Sequence, residues 1–174
     1  MPQNADLNKA LRQLENATAR LSPTEAVSVI DEAIADPRNA DYRAHFEVHK
    51  AGVLWEAEQS QEAIALLERC TAEHGYMDSA HYFAGEHLLE LGQFAQAMRH
   101  LNRCIEIAET SGDGWFQDSA YLLRAYCAAK VGKFDIARQD LAKIEDDDAM
   151  SWLTAEPIVS KASIERMLAH FEPF

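Results

Sequence analysis

The sequence is short of basic residues. Its 174 residues hold 16 lysines and arginines against 29 aspartates and glutamates, which gives a formal net charge of −13. Nucleic acids and anionic membranes both bind positive surfaces, so this deficit argues against either as a partner. It favours a protein partner that carries positive charge. The charge could belong to a binding surface or could simply keep an outer face solvated.

Cysteine is scarce too, and long apolar runs are missing. The three cysteines, Cys70, Cys104 and Cys127, form no CxxC pair and are odd in number. We therefore expect no disulfide framework and a reducing, cytoplasmic location. The first residues show no basic stretch followed by an apolar run, so no secretory signal is expected. No run approaches the roughly 18 apolar residues of a membrane-spanning helix.

Alternating strand patterns are absent, and apolar residues recur at helical spacing instead. The sequence therefore predicts an all-α protein. The motif Ser22-Pro23-Thr24-Glu25 is a capping box that opens a helix near residue 23. Pro37 restricts the residue before it, so this helix should end near Asp36. Gly92 and Gly132 each lie between two helical patterns, as expected for short turns.

An internal repeat is visible around those two glycines. In each case an aromatic residue follows two positions after the glycine and an alanine three positions later. A small residue at the alanine position lets two antiparallel helices cross closely, and glycine permits the turn. The second repeat has Glu58 where the turn glycine would be. The equivalent marker alanines are 37, 34 and 40 residues apart, at Ala26, Ala63, Ala97 and Ala137.

These markers, with Gly85 at the small position of a first helix, resemble the tetratricopeptide repeat, whose period is about 34 residues. The resemblance implies a right-handed superhelical array of antiparallel helix pairs, an all-α solenoid forming one domain over 1–174. A solenoid leaves its last apolar face open, so a capping segment over 148–171, with a helix starting at Pro157, should cover it. We expect Trp115 and Phe116, in an insertion, to pack into a lengthened helix, and the alternative is that they are exposed as an anchor. The four repeats span about 6–36, 44–74, 78–109 and 118–147.

Catalytic and metal-binding motifs are weak in this chain. His45 and His49 share a helix face and could contact zinc, but Glu47 does not directly follow the first histidine and no third ligand is indicated. We expect surface histidines and no metal or cofactor. Cys70 and Cys104 occupy equivalent repeat positions, where packing is the better interpretation. No nucleophile elbow, P-loop or dinucleotide motif is present, so no enzyme activity is expected.

A binding groove is the remaining candidate. In tetratricopeptide arrays the first helix of each repeat lines a concave groove, and the Lys/Asn/Arg clamp that holds chaperone tails is absent here, with Glu15 and Glu86 at clamp positions. Aromatic and acidic side chains suit a basic partner. The alternative for each residue is packing between repeats or plain solvation. The predicted partner-binding residues are His45, Val48, Trp55, Glu56, Tyr82, Glu86, Leu89, Glu90, Leu122 and Tyr126.

Three short motifs near the end of the chain, Asp146-Asp147-Asp148, Trp152-Leu153 and Ser160-Lys161, resemble small acidic bacterial tetratricopeptide proteins of toxin–immunity pairs. This resemblance implies a protein that neutralises a basic toxin by binding it. The chain is also similar in length, acidity and repeat number to class II chaperones of type III secretion. Those proteins hold an extended, unfolded segment. A general scaffold subunit is the third alternative.

Overall fold

A computed structural model of the chain describes residues 3–112, 114–151, 153 and 158–171. The roles that the sequence suggested for Trp152 and Pro157 fall on positions outside the described residues. The chain divides into two compact units, Met1–Gly75 and Tyr76–Phe174.

The first unit consists of two helix pairs joined by a 3₁₀ turn. Leu14, Ile30 and Phe46 form one of its buried core clusters, with one residue from each of the first three helices. The marker alanines Ala26 and Ala63 are both buried, as the close helix crossing requires. The elements are α1 (Gln3–Thr18), α2 (Pro23–Ala35), the 3₁₀ turn (Pro37–Tyr42), α3 (Arg43–Glu56) and α4 (Ser60–Glu73).

The capping box predicted at the start of α2 is confirmed. The Ser22 N–H donates to the Glu25 carboxylate at 3.0 Å, and the Glu25 N–H donates to the Ser22 Oγ at 3.5 Å. Two backbone donors that the first turn leaves without helical partners are satisfied in this way. The predicted end is confirmed as well, because Asp36 is the C-cap and Pro37 opens the 3₁₀ turn.

The second unit has two further helix pairs, a two-stranded hairpin and a last helix. The hairpin pairs Met150 with Ser160 and Ser151 with Val159 in antiparallel register. The all-α expectation is confirmed apart from these two short strands. The elements are α5 (Asp78–Glu90), α6 (Phe94–Ser111), α7 (Gln117–Lys130), α8 (Phe134–Leu141), β1 (Met150–Ser151), β2 (Val159–Ser160) and α9 (Lys161–Ala169).

The marker residues act as the repeat pattern predicts. A Cβ added at Gly85 would lie 2.7 Å from the Leu101 Cγ, so only glycine lets α5 approach α6 this closely. Gly92 and Gly132 adopt positive φ angles of 73° and 76° in the turns between paired helices. In the first unit Glu58 takes this role with a φ of 62°, a conformation that non-glycine residues rarely adopt.

The last helix begins later than the sequence predicted. Residues Val159–Ser160 are extended and paired in the hairpin, so α9 starts at Lys161 instead of near Pro157. Ser160 is its N-cap, and the Ser160 Oγ accepts a hydrogen bond from the Ser163 N–H at 3.1 Å. The helix packs against α7 and buries Ile164 and Leu168.

The expectation for the Trp115–Phe116 pair is half right. Trp115 is 85% exposed, so the prediction that it packs is wrong. Phe116 does pack, with its ring stacked on Tyr82 at a centroid distance of 4.7 Å. The packing role predicted for Cys70 and Cys104 is confirmed, because both are buried, and Cys127 is buried as well. None of the described helices combines the length and apolarity needed to cross a bilayer.

Candidate protein-binding site

An open cavity of about 280 Å³ lies within the first unit, between α1, the start of α2 and α3. We call it the acidic cavity. Glu15 lines it from α1, and His49, Gly52 and Glu56 line it from α3. The spacing of three and four residues along α3 places these three residues on one helix face. No atom lies within 4 Å of the position that a Cβ at Gly52 would occupy, so glycine leaves this part of the cavity empty.

The two carboxylates of the acidic cavity both act on His49. Burial lowers the pKa of His49, while the negative charges of Glu15 and Glu56 act to raise it. Within the described part of the chain, neither glutamate forms a salt bridge. The cavity therefore presents two carboxylates that no cation of the described chain compensates, which is the electrostatic environment that a lysine or arginine side chain prefers.

The residues predicted for partner binding in the first unit have different surroundings. Glu56 is exposed and lines the acidic cavity, whereas Val48 is buried with 8% of its surface exposed. His45 and Trp55 are half-buried on α3. Sequence reasoning placed Glu15 only at a clamp position and left His49 as a surface histidine. The spacing of two turns between His49 and Glu56 is the signal that could have placed them on one face.

In the second unit an aromatic cluster surrounds a carboxyl group. The Tyr82 hydroxyl donates to the Glu86 Oε1 at 3.1 Å. Phe83 meets the Phe116 ring edge-on, with centroids 5.7 Å apart. The Ser151 side chain, from β1, also hydrogen-bonds to Tyr82. We call Tyr82, Phe83, Glu86 and Phe116 the Tyr82 cluster.

Burial changes the charge of the Tyr82 cluster. It raises the pKa of Glu86 to about 7. The hydrogen bond from Tyr82 acts to lower this pKa, and the nearby charge of Glu90 acts to raise it. A substantial fraction of the Glu86 carboxyl is therefore neutral at physiological pH. Burial likewise raises the pKa of Tyr82. Glu86 is thus a weaker anion than its repeat position suggested.

The remaining predicted residues of the second unit lie mostly inside the protein. The hairpin packs against α7, and its end residue Val159 is 1% exposed. Both parts of the terminal segment, the hairpin and α9, therefore pack against α7. Glu90 is half-buried. The buried predicted residues, with exposed fractions from 1% to 7%, are Tyr82, Leu89, Leu122 and Tyr126.

Histidine, cysteine and carboxylate groups do not converge on a metal site in the part of the chain that the structure describes. No three of them are placed to hold one ion there. The cysteine thiols are also poor ligands, because burial raises the pKa of Cys70, Cys104 and Cys127 to about 12.

The sequence profile of the tetratricopeptide repeat matches residues 54–114. The fold is tetratricopeptide-like. That match covers α4, α5 and α6, including the Gly85 crossing and the Gly92 turn. No curated protein matches the chain at the sequence level.

Several solved structures are similar to the chain. MamA residues 41 to the end, from Desulfovibrio magneticus RS-1, align with a TM-score of 0.60 at 17% identity over 79% of this chain and 73% of that one. A further structure, of MamA protein, aligns with a TM-score of 0.59 at 15% identity over 99% of this chain and 80% of that one. TPR-like repeats of Podosopora anserina assigned to a kinesin light chain align with a TM-score of 0.60 at 17% identity. The alignment covers 96% of this chain and 83% of that one. At these identities the likeness shows the fold alone.

Proposed function

We propose that this chain is a non-catalytic protein-binding module that takes a basic protein partner, and that it acts as an immunity protein by neutralising a toxin. The acidic cavity carries the proposal. Glu15 and Glu56 face one cavity without a salt bridge in the described chain, on a protein with a net charge of −13. A lysine or arginine of the partner would supply the missing cation.

The energetics favour such a contact in two ways. Each hydrogen bond to a charged group contributes about 1.5–3 kcal/mol. At longer range, the negative charge of the whole chain steers a basic partner towards the surface and raises the association rate. The aromatic ring of Trp55, half-buried on α3, offers contact area at low entropy cost.

The predicted residues divide into two roles under this proposal. His45, Trp55, Glu56 and Glu90 are the ones with enough exposure to contact the partner in the present conformation. Glu86 is half-buried and hydrogen-bonded to Tyr82, so it contributes less. The buried members hold the helices that shape the surface, and these are Val48, Tyr82, Leu89, Leu122 and Tyr126.

Association kinetics test the proposal. A partner is purified from native lysate, and its binding to the chain is followed at low and high salt. We expect one folded basic domain, and an association rate that falls as salt rises. The double variant Glu15→Gln, Glu56→Gln should bind at least about tenfold more weakly. Glu68→Gln, an exposed change on α4, is the control and should bind normally.

Two results would contradict the proposal. An association rate that does not depend on salt removes electrostatic steering, and equal affinity of the double variant removes the acidic cavity. A partner that binds only as an isolated unfolded segment would favour a secretion-chaperone role instead.

A further inference from the structure

A second cavity, of about 490 Å³, lies in the second unit between α6 and α8. Apolar side chains of Met98 and Ile136 line part of it. Arg99 reaches it from α6, Arg124 from α7, and Lys133 from the turn before α8. We call it the basic cavity, because three of the 16 basic residues of an acidic chain gather there.

One of the three cations is fixed and already neutralised. The Arg124 Nε donates to the Asp140 Oδ2 at 2.8 Å, and Nη2 of the same guanidinium donates to the other oxygen of that carboxylate. Arg124 Nη1 donates to the Asn102 Oδ1 at 2.6 Å. This leaves the Asn102 amide N–H groups to serve as donors at the cavity.

The other two cations are not compensated. Arg99 and Lys133 are both exposed, and within the described residues neither forms a salt bridge. Lys133 is the N-cap residue of α8 and makes no side-chain cap hydrogen bond. Serine, threonine, aspartate or asparagine would stabilise that position better, and a positive charge opposes the helix dipole there. Helix stability therefore does not account for a lysine at this site, whereas an anionic ligand would.

We infer that the basic cavity binds an acidic peptide segment of a partner protein. A glutamate or aspartate carboxylate lies at Arg99 and Lys133, and a neighbouring apolar side chain lies over Met98 and Ile136. Charge complementarity selects the acid, and the apolar lining selects a peptide rather than a free oxyanion. This site lies in the other unit and has the opposite charge to the acidic cavity. It therefore goes beyond the function proposed above, and either can fail without the other.

The test uses the whole chain and the peptide Gly-Leu-Glu-Leu-Glu-Gly-amide, which carries fluorescein on its N-terminal amine, with binding followed by fluorescence anisotropy. The double variant Arg99→Gln, Lys133→Gln should weaken binding at least about tenfold. The matched control is Arg103→Gln, Arg166→Gln, which removes the same charge from exposed positions that do not line the cavity, and it should change affinity less than about twofold.

A single variant separates binding from folding. Lys133→Ser should weaken peptide binding while the melting temperature stays equal or rises, because serine is the better N-cap. A variant that loses peptide affinity only together with its melting temperature would overturn the inference.

Three further outcomes would also overturn it. The first is unchanged affinity in the Arg99, Lys133 double variant. The second is an equal loss of peptide affinity in the control variant, which would show that only the net charge of the chain matters. In the third, the glycine-substituted peptide Gly-Gly-Glu-Gly-Glu-Gly-amide, labelled in the same way, or inorganic phosphate as a competitor, binds as tightly as the leucine peptide. That result would make the cavity a site for simple oxyanions.

Discussion

The first helices of the repeats have different surroundings in the two units. In the first unit, α1 and α3 border a cavity that is open to solvent and holds two glutamates without a salt bridge in the described chain. In the second unit, the hairpin packs on α7, and Tyr82 and Glu86 bond to each other. The same repeat plan therefore gives an open cavity with two glutamates in one unit and a partly neutral Glu86 in the other, because Glu86 lies in a packed aromatic cluster.

The largest expected effect on stability comes from removing a buried side chain of the second unit. Leu122→Ala should lower the free energy of unfolding by about 2–5 kcal/mol, since the residue is 1% exposed and its removal leaves a cavity. Leu11→Ala, at the equivalent repeat position of the first unit, should cost clearly less, because Leu11 is only half-buried. Urea denaturation measures both. Equal losses would show that the two faces are equally covered.

A pair of glycines gives the next largest effect, with opposite signs in the two units. Gly85→Ala should destabilise by about 1–3 kcal/mol, because the new Cβ would lie 2.7 Å from the Leu101 Cγ. Gly52→Ala should stabilise by about 0.5–1 kcal/mol, since it lies within a helix and has open space around it. Thermal unfolding of both variants is the measurement, and a destabilised Gly52→Ala would mean that the acidic cavity is already filled.

The burial of Glu86 predicts that the stability of the folded chain depends on pH. Its pKa is about 7 in the folded chain and near 4.5 when unfolded. The folded state therefore binds more protons between these values, so this group lowers stability as pH rises from about 4.5 to 7, by about 1–3 kcal/mol in total. Glu86→Gln should remove that decrease. The exposed Glu68→Gln is the control, and denaturation from pH 5 to 8 should show it the same fall in stability as the unmodified chain.

If Glu86→Gln keeps the same fall in stability with pH as the unmodified chain, the carboxyl is solvated after all. The contrast between the open acidic cavity of the first unit and a partly neutral Glu86 in the second unit would then be lost.

The smallest expected effect is in the turns between paired helices. Glu58 holds a φ of 62°, where the second unit uses glycine. Glu58→Gly should therefore stabilise by about 0.5–1 kcal/mol, after allowing for the extra freedom that glycine gives the unfolded chain. Differential scanning calorimetry can resolve this shift. A lower melting temperature would show that the Glu58 side chain makes contacts worth more than the strain.

Local signals in the sequence predicted much of the fold. Ser22 and Glu25 marked the start of α2 because a capping box needs only neighbouring residues. Gly85 marked a close helix crossing because no larger residue fits there. The hairpin was not predicted, since strands of two residues have no readable period and their pairing depends on partners eight and ten positions away.

The candidate site was predicted less well than the fold. Glu56 lies on the acidic cavity, as an exposed residue of a first helix should. Leu122 and Tyr126 occupy the same kind of repeat position, yet they are buried. Repeat position gives the direction of a side chain on its helix, but it does not show what a distant segment places over it.

The sequence by itself determined the helical repeat, its turns and the excess of negative charge, because each depends on composition or on residues within a few turns of one another. Only the tertiary structure decided how a single carboxyl group is placed. The hairpin and α9 pack on α7, whereas the acidic cavity is open at the surface of the first unit. Burial raises the pKa of Glu86 and so limits how far that carboxyl group can act as an anion.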